Sequence, residues 1–186
     1  SINIDILISN AGFGTYGLFA NADLDEELKM IDLNVRTLTH LTKLFLGPML
    51  EKKSGKILNV ASTAAFQPGP LMSVYYATKA YVLHFSEALA NELSGTGVSV
   101  TILCPGPTKT NFTNRANMEK SKISEQLMDV KTVAEAGYKG LMEGKTIVIP
   151  GIKNKLLAFS VRLLFLLLLG FLSNNLYILS VLLLPC

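Results

Sequence analysis

The sequence predicts an α/β protein, a mostly parallel sheet with helices on both faces. Three observations carry that expectation. Short runs rich in branched apolar residues recur at 4–8, 57–60 and 98–103, with a fourth at 146–149. Longer stretches of helical periodicity separate them, and glycine- or proline-rich loops stand at the strand ends. Alternating strands and helices with right-handed crossovers give a parallel sheet covered by helices.

Residues 4–8 read as a strand buried on both faces. The Asn10–Gly14 loop follows, where glycines permit tight backbone geometry. Asp25-Glu26-Glu27 suits a helix N-terminus. A longer helix follows, with Leu38, Leu41, Leu44, Phe45, Pro48 and Met49 near one side, ending at the lysine-rich Gly55 turn. The strand 57–60 closes on Ala61-Ser62-Thr63. A helix from about Tyr75 to Leu93 carries Val82, Phe85, Leu89 and Leu93 as its core stripe, and Gly95 and Gly97 end it. The strand 98–103 runs into the stiff Pro105-Gly106-Pro107 turn. From Thr110 to about Lys131 the chain turns polar and weakly periodic, as a mobile flap over a site would. Thr132 with Glu135 reads as a capping box for a helix ending near Gly144, before the last strand.

Bulk composition narrows the function classes. A chain of 186 residues suffices for one core and a single domain. The formal charge of +3 is small and evenly spread, and Lys52, Lys53 and Lys56 read as a solvated helix end, so no nucleic-acid partner is expected. Two cysteines, Cys104 and Cys186, give no disulfide framework, and Cys104 reads as a small buried side chain. With only His40 and His84, and no zinc-ligand spacing, no metal site is expected. The chain opens at Ser1 without a visible signal peptide and reads as a fragment edge, with a cytoplasmic location expected.

Residues 156–186 form a hydrophobic tail, almost wholly apolar from Leu163 to Leu184 and broken by Gly170 and Ser173-Asn174-Asn175. Three readings stay open: a membrane-associated end, a buried or dimer-packing end, and an aberrant C-terminus.

The chemistry-bearing pattern is Tyr75 and Lys79 in V-Y-Y-A-T-K-A, with Ser62 and Asn34 upstream. Positions i and i+4 share a helix face, so the ammonium can lie close to the phenol. A phenol with a reference pKa near ~10 is a poor proton donor at neutral pH unless its anion is stabilised, and a fixed positive charge would do that. The pairing points to a reductase or dehydrogenase. Taken singly, Asn34 is as readily a helix cap, and Ser62 an ordinary turn serine. Tyr76, three residues from Lys79, is an alternative phenol that helical geometry does not exclude.

Five motifs in order add a family resemblance. They are S-N-A-G at Ser9–Gly12, Asn34, Ser62 after N-V-A, Tyr75 with Lys79, and the P-G-P-x-x-T turn ending at Thr110. The chain resembles the short-chain dehydrogenase/reductase superfamily, a Rossmann-like fold, over residues 1–155. The resemblance implies NAD(P)-dependent interconversion of a carbonyl and an alcohol, with Tyr75 as general acid or base. Ser62 would help hold the substrate oxygen, Lys79 would acidify Tyr75 and hold the nicotinamide ribose, and Asn34 would kink its helix and position a water. Asn10, Ala11 and Gly12 would line the cofactor, Asn10 by tying strands together beside the adenosine ribose. Pro105, Gly106, Pro107, Thr108 and Thr110 would hold the carboxamide. Phe66, Pro68 and Phe112, with Ser62 and Tyr75, are the candidate substrate wall. Ser9 departs from the family's first asparagine and should perturb local hydrogen bonds more than chemistry.

Other parts of the family pattern are absent from these residues. The first βαβ portion is missing, with its glycine-rich pyrophosphate loop and the residue separating NAD from NADP. NADP or NAD is therefore expected, NADP ahead, for a longer homo-oligomeric parent acting on a small carbonyl or alcohol, with membrane contact through the tail left open. The 186 residues alone are expected to be inactive and to aggregate or need a partner. The alternative is a non-catalytic Rossmann-like module that binds a partner or small molecule.

Overall fold

The computed structural model describes residues 4–116, 118 and 127–160. In chain order come β1 (Ile6–Ser9), α1 (Leu24–Ile31), α2 (Leu38–Glu51), β2 (Gly55–Val60), α3 (Ser73–Glu92), β3 (Val98–Leu103), α4 (Phe112–Arg115), α5 (Val130–Met142) and β4 (Ile147–Val148). The four strands form one parallel sheet in the order β1-β2-β3-β4. Residues 152–160 are helical.

Alternation along the strands sorts the core onto two faces. Ile57 and Val100 pack with Leu7, Met49 and Leu89 under α2 and α3, whereas Leu58 and Leu103 pack with Val133 and Leu141 of α5. Ile57, Met49 and Leu141 are fully buried, each contributing on the order of 2 kcal/mol. The strand ends are punctuated by backbone that tolerates little else. Gly97 has φ +86, and a Cβ there would meet the Lys53 carbonyl.

Several sequence expectations are corrected here. The first strand is Ile6–Ser9, and it is not buried on both faces: Ile6 is 39% and Ile8 54% exposed. The reason is coverage, since α5 packs chiefly on β2, β3 and β4. In α2 the buried stripe is Leu38, Thr42 and Met49, while Leu44 and Pro48 face outward. The helix bearing Tyr75 begins earlier, at Ser73. The cap of α5 is Asp129, whose carboxylate accepts from the Thr132 amide at 2.9 Å. An ionised oxygen outcompetes a threonine hydroxyl for that donor, and the Thr132 hydroxyl itself donates to Asp129 at 3.1 Å.

α1 is capped by Asp23, which accepts from the Glu26 amide. Between α1 and α2 the helix does not stop: Asp32–Thr37 is π-helical, and Asn34 lies in it. Among the described residues no helix is long and apolar enough to cross a membrane. The tail beyond residue 160, and residues 117 and 119–126 of the expected flap, lie outside the described residues.

Candidate active site

The site is built on the loop leaving β1. Asn34, 2% exposed, grips that loop at both backbone groups of one residue: its Oδ1 accepts from the Phe13 amide at 3.2 Å, and its Nδ2 donates to the Phe13 carbonyl at 2.9 Å. The same Nδ2 donates to the Thr78 hydroxyl at 3.1 Å. A widened π-turn carries the amide to this position. The loop is pinned again by the Thr15 hydroxyl donating to the buried Glu27 carboxylate at 2.5 Å, and by the Gly17 amide donating to the Leu71 carbonyl at 2.8 Å. Two glycines let it approach the chemistry. A Cβ on Gly12 would stand 2.9 Å from Asn34 Oδ1 and 3.5 Å from Lys79 Nζ, and one on Gly14 would stand 2.9 Å from the rings of Tyr75 and Phe112.

On α3, Lys79 is buried at 7% exposure and donates from Nζ to the Val60 carbonyl at 2.8 Å. Nζ lies 5.9 Å from the centre of the Tyr75 ring, so amine and phenol share one side of the helix as their spacing requires. Burial lowers the Lys79 amine from 10.5 to about 8, with Cys104 opposing weakly. Burial likewise pushes the Tyr75 phenol up to about 12, against a hydrogen bond to Ser62 that pulls it down; Tyr76 raises it further. The expectation that Lys79 acidifies Tyr75 is therefore corrected for the protein without ligand. Desolvation of the phenolate outweighs every favourable neighbour, and the one group lowering the phenol is Ser62.

Ser62 caps the short 3-10 turn Thr63–Phe66, its Oγ accepting from the Ala64 amide at 3.1 Å. It lies at the end of β2, beside the Pro105 turn that ends β3. The Pro105 carbonyl accepts from the Thr63 amide at 2.9 Å and from Ser62 Oγ at 3.5 Å. The Thr108 hydroxyl donates to the Gly106 carbonyl at 2.9 Å, and Thr110 Oγ1 accepts from the Phe112 amide at 3.2 Å. Pro107 closes the turn by accepting from the Met128 amide at 2.8 Å.

Phe112 on α4 packs against Tyr75, with ring centres 5.2 Å apart, and the Arg115 guanidinium lies 4.4 Å from the centre of the Phe13 ring. The described end of the flap thus rests on the site. Phe66 and Pro68 line a groove of about 550 Å³ with Tyr76, Ala77 and Ala80, and Tyr76 also packs in the cluster that holds Tyr75 and Phe112. Tyr76 packs against Gly69 in that groove, away from Lys79, which leaves Tyr75 as the phenol of the site. Asn10 is exposed and its side chain makes no hydrogen bond among the described residues, so it ties no strands together here. Asn59 serves that end, donating from Nδ2 to Ser86 Oγ at 2.9 Å. Ala11 is likewise exposed in the loop.

Sequence reading missed four contributors. Thr78 joins Asn34 to the Tyr75 carbonyl, to which its hydroxyl donates at 2.7 Å, and Thr15 pairs with Glu27. Asn154 sits against the open side of Gly106, where a Cβ would stand 2.6 Å from its amide, and donates to the Pro150 carbonyl at 2.8 Å. Only Thr78 had a signal, its place one turn on from Tyr75.

Comparison with known proteins accords with this geometry. The family described as short chain dehydrogenase matches residues 2–121. Ketoacyl reductase HetN of Nostoc sp. is 37% identical over 147 residues, which are 78% of this chain and 51% of the relative. The 3-oxoacyl-[acyl-carrier-protein] reductase FabG of Buchnera aphidicola is 35% identical over 115 residues, 62% of this chain and 47% of the relative. A short-chain dehydrogenase from Sphingobium yanoikuyae, solved with NADPH, superposes with TM-score 0.77 at 30% identity, covering 91% of this chain and 65% of the other. The chain spans about half the length of the curated relatives it matches.

Proposed function

The chain belongs to the short chain dehydrogenase family, and on that premise we propose that it carries the catalytic part of a nicotinamide-dependent oxidoreductase interconverting a carbonyl and an alcohol. The observation that carries the reading is the convergence of Ser62, Tyr75, Lys79 and Asn34 around one loop, with Gly12 held clear of any side chain beside Lys79 Nζ.

The residues present fit the nicotinamide half of such a cofactor. Gly12 leaves backbone open beside Lys79, whose buried amine has donors beyond the one given to Val60. Thr108 and Thr110 flank the same sheet end. When bound, the nicotinamide supplies or takes up hydride. Tyr75 and Ser62 donate hydrogen bonds to the substrate oxygen, where negative charge grows in the transition state. Tyr75 then gives its proton to that oxygen, or takes one from an alcohol. Burial holds the phenol near 12, so it is protonated at neutral pH, and Ser62 is the neighbour that offsets the burial. Ser62, whose hydrogen bond lowers the phenol, stabilises the phenolate left behind, while Lys79 holds the nicotinamide ribose. Asn34 would hold a water through which that proton is replaced.

The ketoacyl reductases among the relatives, with Phe112 against Tyr75, support an acyl-type carbonyl with an apolar flank as substrate. NADPH in the Sphingobium neighbour supports NADP ahead of NAD. The exposed sides of α2 and α3, with Leu44 and Tyr81 outward, support a homo-oligomer. We take 1–155 as the part of the enzyme domain that these residues supply.

Tyr75→Phe, in a protein extended to its relatives' length, tests the reading. Turnover should fall by at least ~10³-fold while cofactor affinity holds. Unchanged turnover in the variant would overturn the role of Tyr75, and absence of turnover in the unsubstituted protein would point instead to a binding module.

A further inference from the structure

A layer of polar side chains from four elements crosses the core beneath α2 and α3. Ser9 ends β1 and is the register partner of Asn59 in β2, so their side chains stand side by side on one face of the parallel pair. Asn59 bonds Ser86 of α3, which fixes that face. Thr42 of α2 faces the same level. It falls between Leu38, packed with Ala61 and Val82, and Met49, packed with Leu7 and Ile57. Along the strands the rows follow the same order: Leu7 with Ile57, then Ser9 with Asn59, then Ala61. Ser86 lies between Val82 and Leu89 in just this way on α3.

Three oxygens of this layer, Ser9 Oγ, Thr42 Oγ1 and Asn59 Oδ1, are buried without a hydrogen-bond partner. Asn59 is 0% and Thr42 1% exposed. Helical threonines can return their hydroxyl to the carbonyl one turn back, as Thr39 does to Val35 at 2.8 Å, but Thr42 does not. The other two such hydroxyls, Ser99 and Thr101, belong to the opposite face: Thr101 pairs in register with Leu58, which packs under α5. Buried polar atoms are seldom left unpaired, and an internal water characteristically satisfies about three of them.

We propose that Ser9, Thr42 and Asn59 together bind one internal water molecule. The unpartnered atoms are two hydroxyls and an amide oxygen, and the layer has no formal charge, which suits water rather than an ion. Water donates to Asn59 Oδ1 and to Thr42 Oγ1 and accepts from the Ser9 hydroxyl, using groups that the protein leaves open. Its place explains the short Ser9 where the family signature carries asparagine: the solvent molecule stands in for the missing amide. It ties β1, β2 and α2 together just before the Asn10–Gly12 loop and before Val60, whose carbonyl receives Lys79. The site does not depend on the proposed activity.

Equilibrium urea unfolding of a protein extended to its relatives' length tests it. Thr42→Val preserves shape and removes the hydroxyl. With water bound, the unfolding equilibrium constant should rise about tenfold, because the water loses a partner. If the hydroxyl is merely orphaned, removing it stabilises the fold, so an equal or higher urea midpoint overturns the proposal. Ser9→Ala with Thr42→Val should together cost less than their separate costs, since one water serves both. Strict additivity would also overturn it.

Discussion

Replacing Lys79 with methionine converts a buried amine into an apolar side chain of similar length, and its consequence can be worked through. The amine titrates at about 8 in the folded protein against 10.5 for an ordinary lysine. Between those values the unfolded chain holds a proton that the folded protein has released. Stability from this group is therefore fully present above pH 10.5 and is lost as pH falls through 8, below which the curve is flat. At ~1.4 kcal/mol for each pH decade, the whole span is about 3 kcal/mol. Lys79→Met has no such titration, and its unpaired Val60 carbonyl adds a cost independent of pH. The stability of wild type relative to Lys79→Met should thus climb by about 3 kcal/mol from about pH 7.5 to about pH 10.5, read from urea midpoints. Titrating groups remote from Lys79 are common to both proteins and cancel. Tyr75 works the opposite way at higher pH, its contribution being present below 10 and lost as pH rises through about 12. Parallel stability curves for the two proteins would refute the claim that burial governs Lys79.

Three further outcomes follow from the same contacts. Asn34→Ala should cost about 2–4 kcal/mol in chemical denaturation, because the amide and carbonyl of Phe13 both lose their buried partner. Gly97→Ala should cost at least ~2 kcal/mol and lower the thermal midpoint, since φ +86 and the Lys53 carbonyl both oppose a side chain. Gly14→Ala should cost about 1–3 kcal/mol and displace the Tyr75 ring, visible as a shifted phenolate titration in ultraviolet absorbance.

The strands were legible in the sequence because branched apolar runs bounded by glycine or proline have few other uses; the strand Val98–Leu103 appears with the expected bounds. Tyr75 and Lys79 were legible as well, since helical spacing alone brings them to one side. Strand β1 was misjudged because hydrophobicity records what a strand is made for, and coverage depends on elements elsewhere in the chain. The sign of the Tyr75 perturbation was illegible for a related reason. A neighbouring charge can be read from spacing, but desolvation depends on everything packed around the phenol, including Met72, Ala116 and Met118. Asn154 was invisible because nothing local relates it to Gly106; only the fold brings the segment after β4 back upon the turn.

That last contact reaches further than its size suggests. The Pro105–Pro107 turn is stiff in itself, but its back rests on a side chain contributed after the final strand. A protein shortened to residue 150 would keep Ser62, Tyr75 and Lys79 and lose the buttress behind Gly106. Drift in the chain's last segment can therefore retune how firmly this corner is braced, with the tyrosine and lysine left untouched.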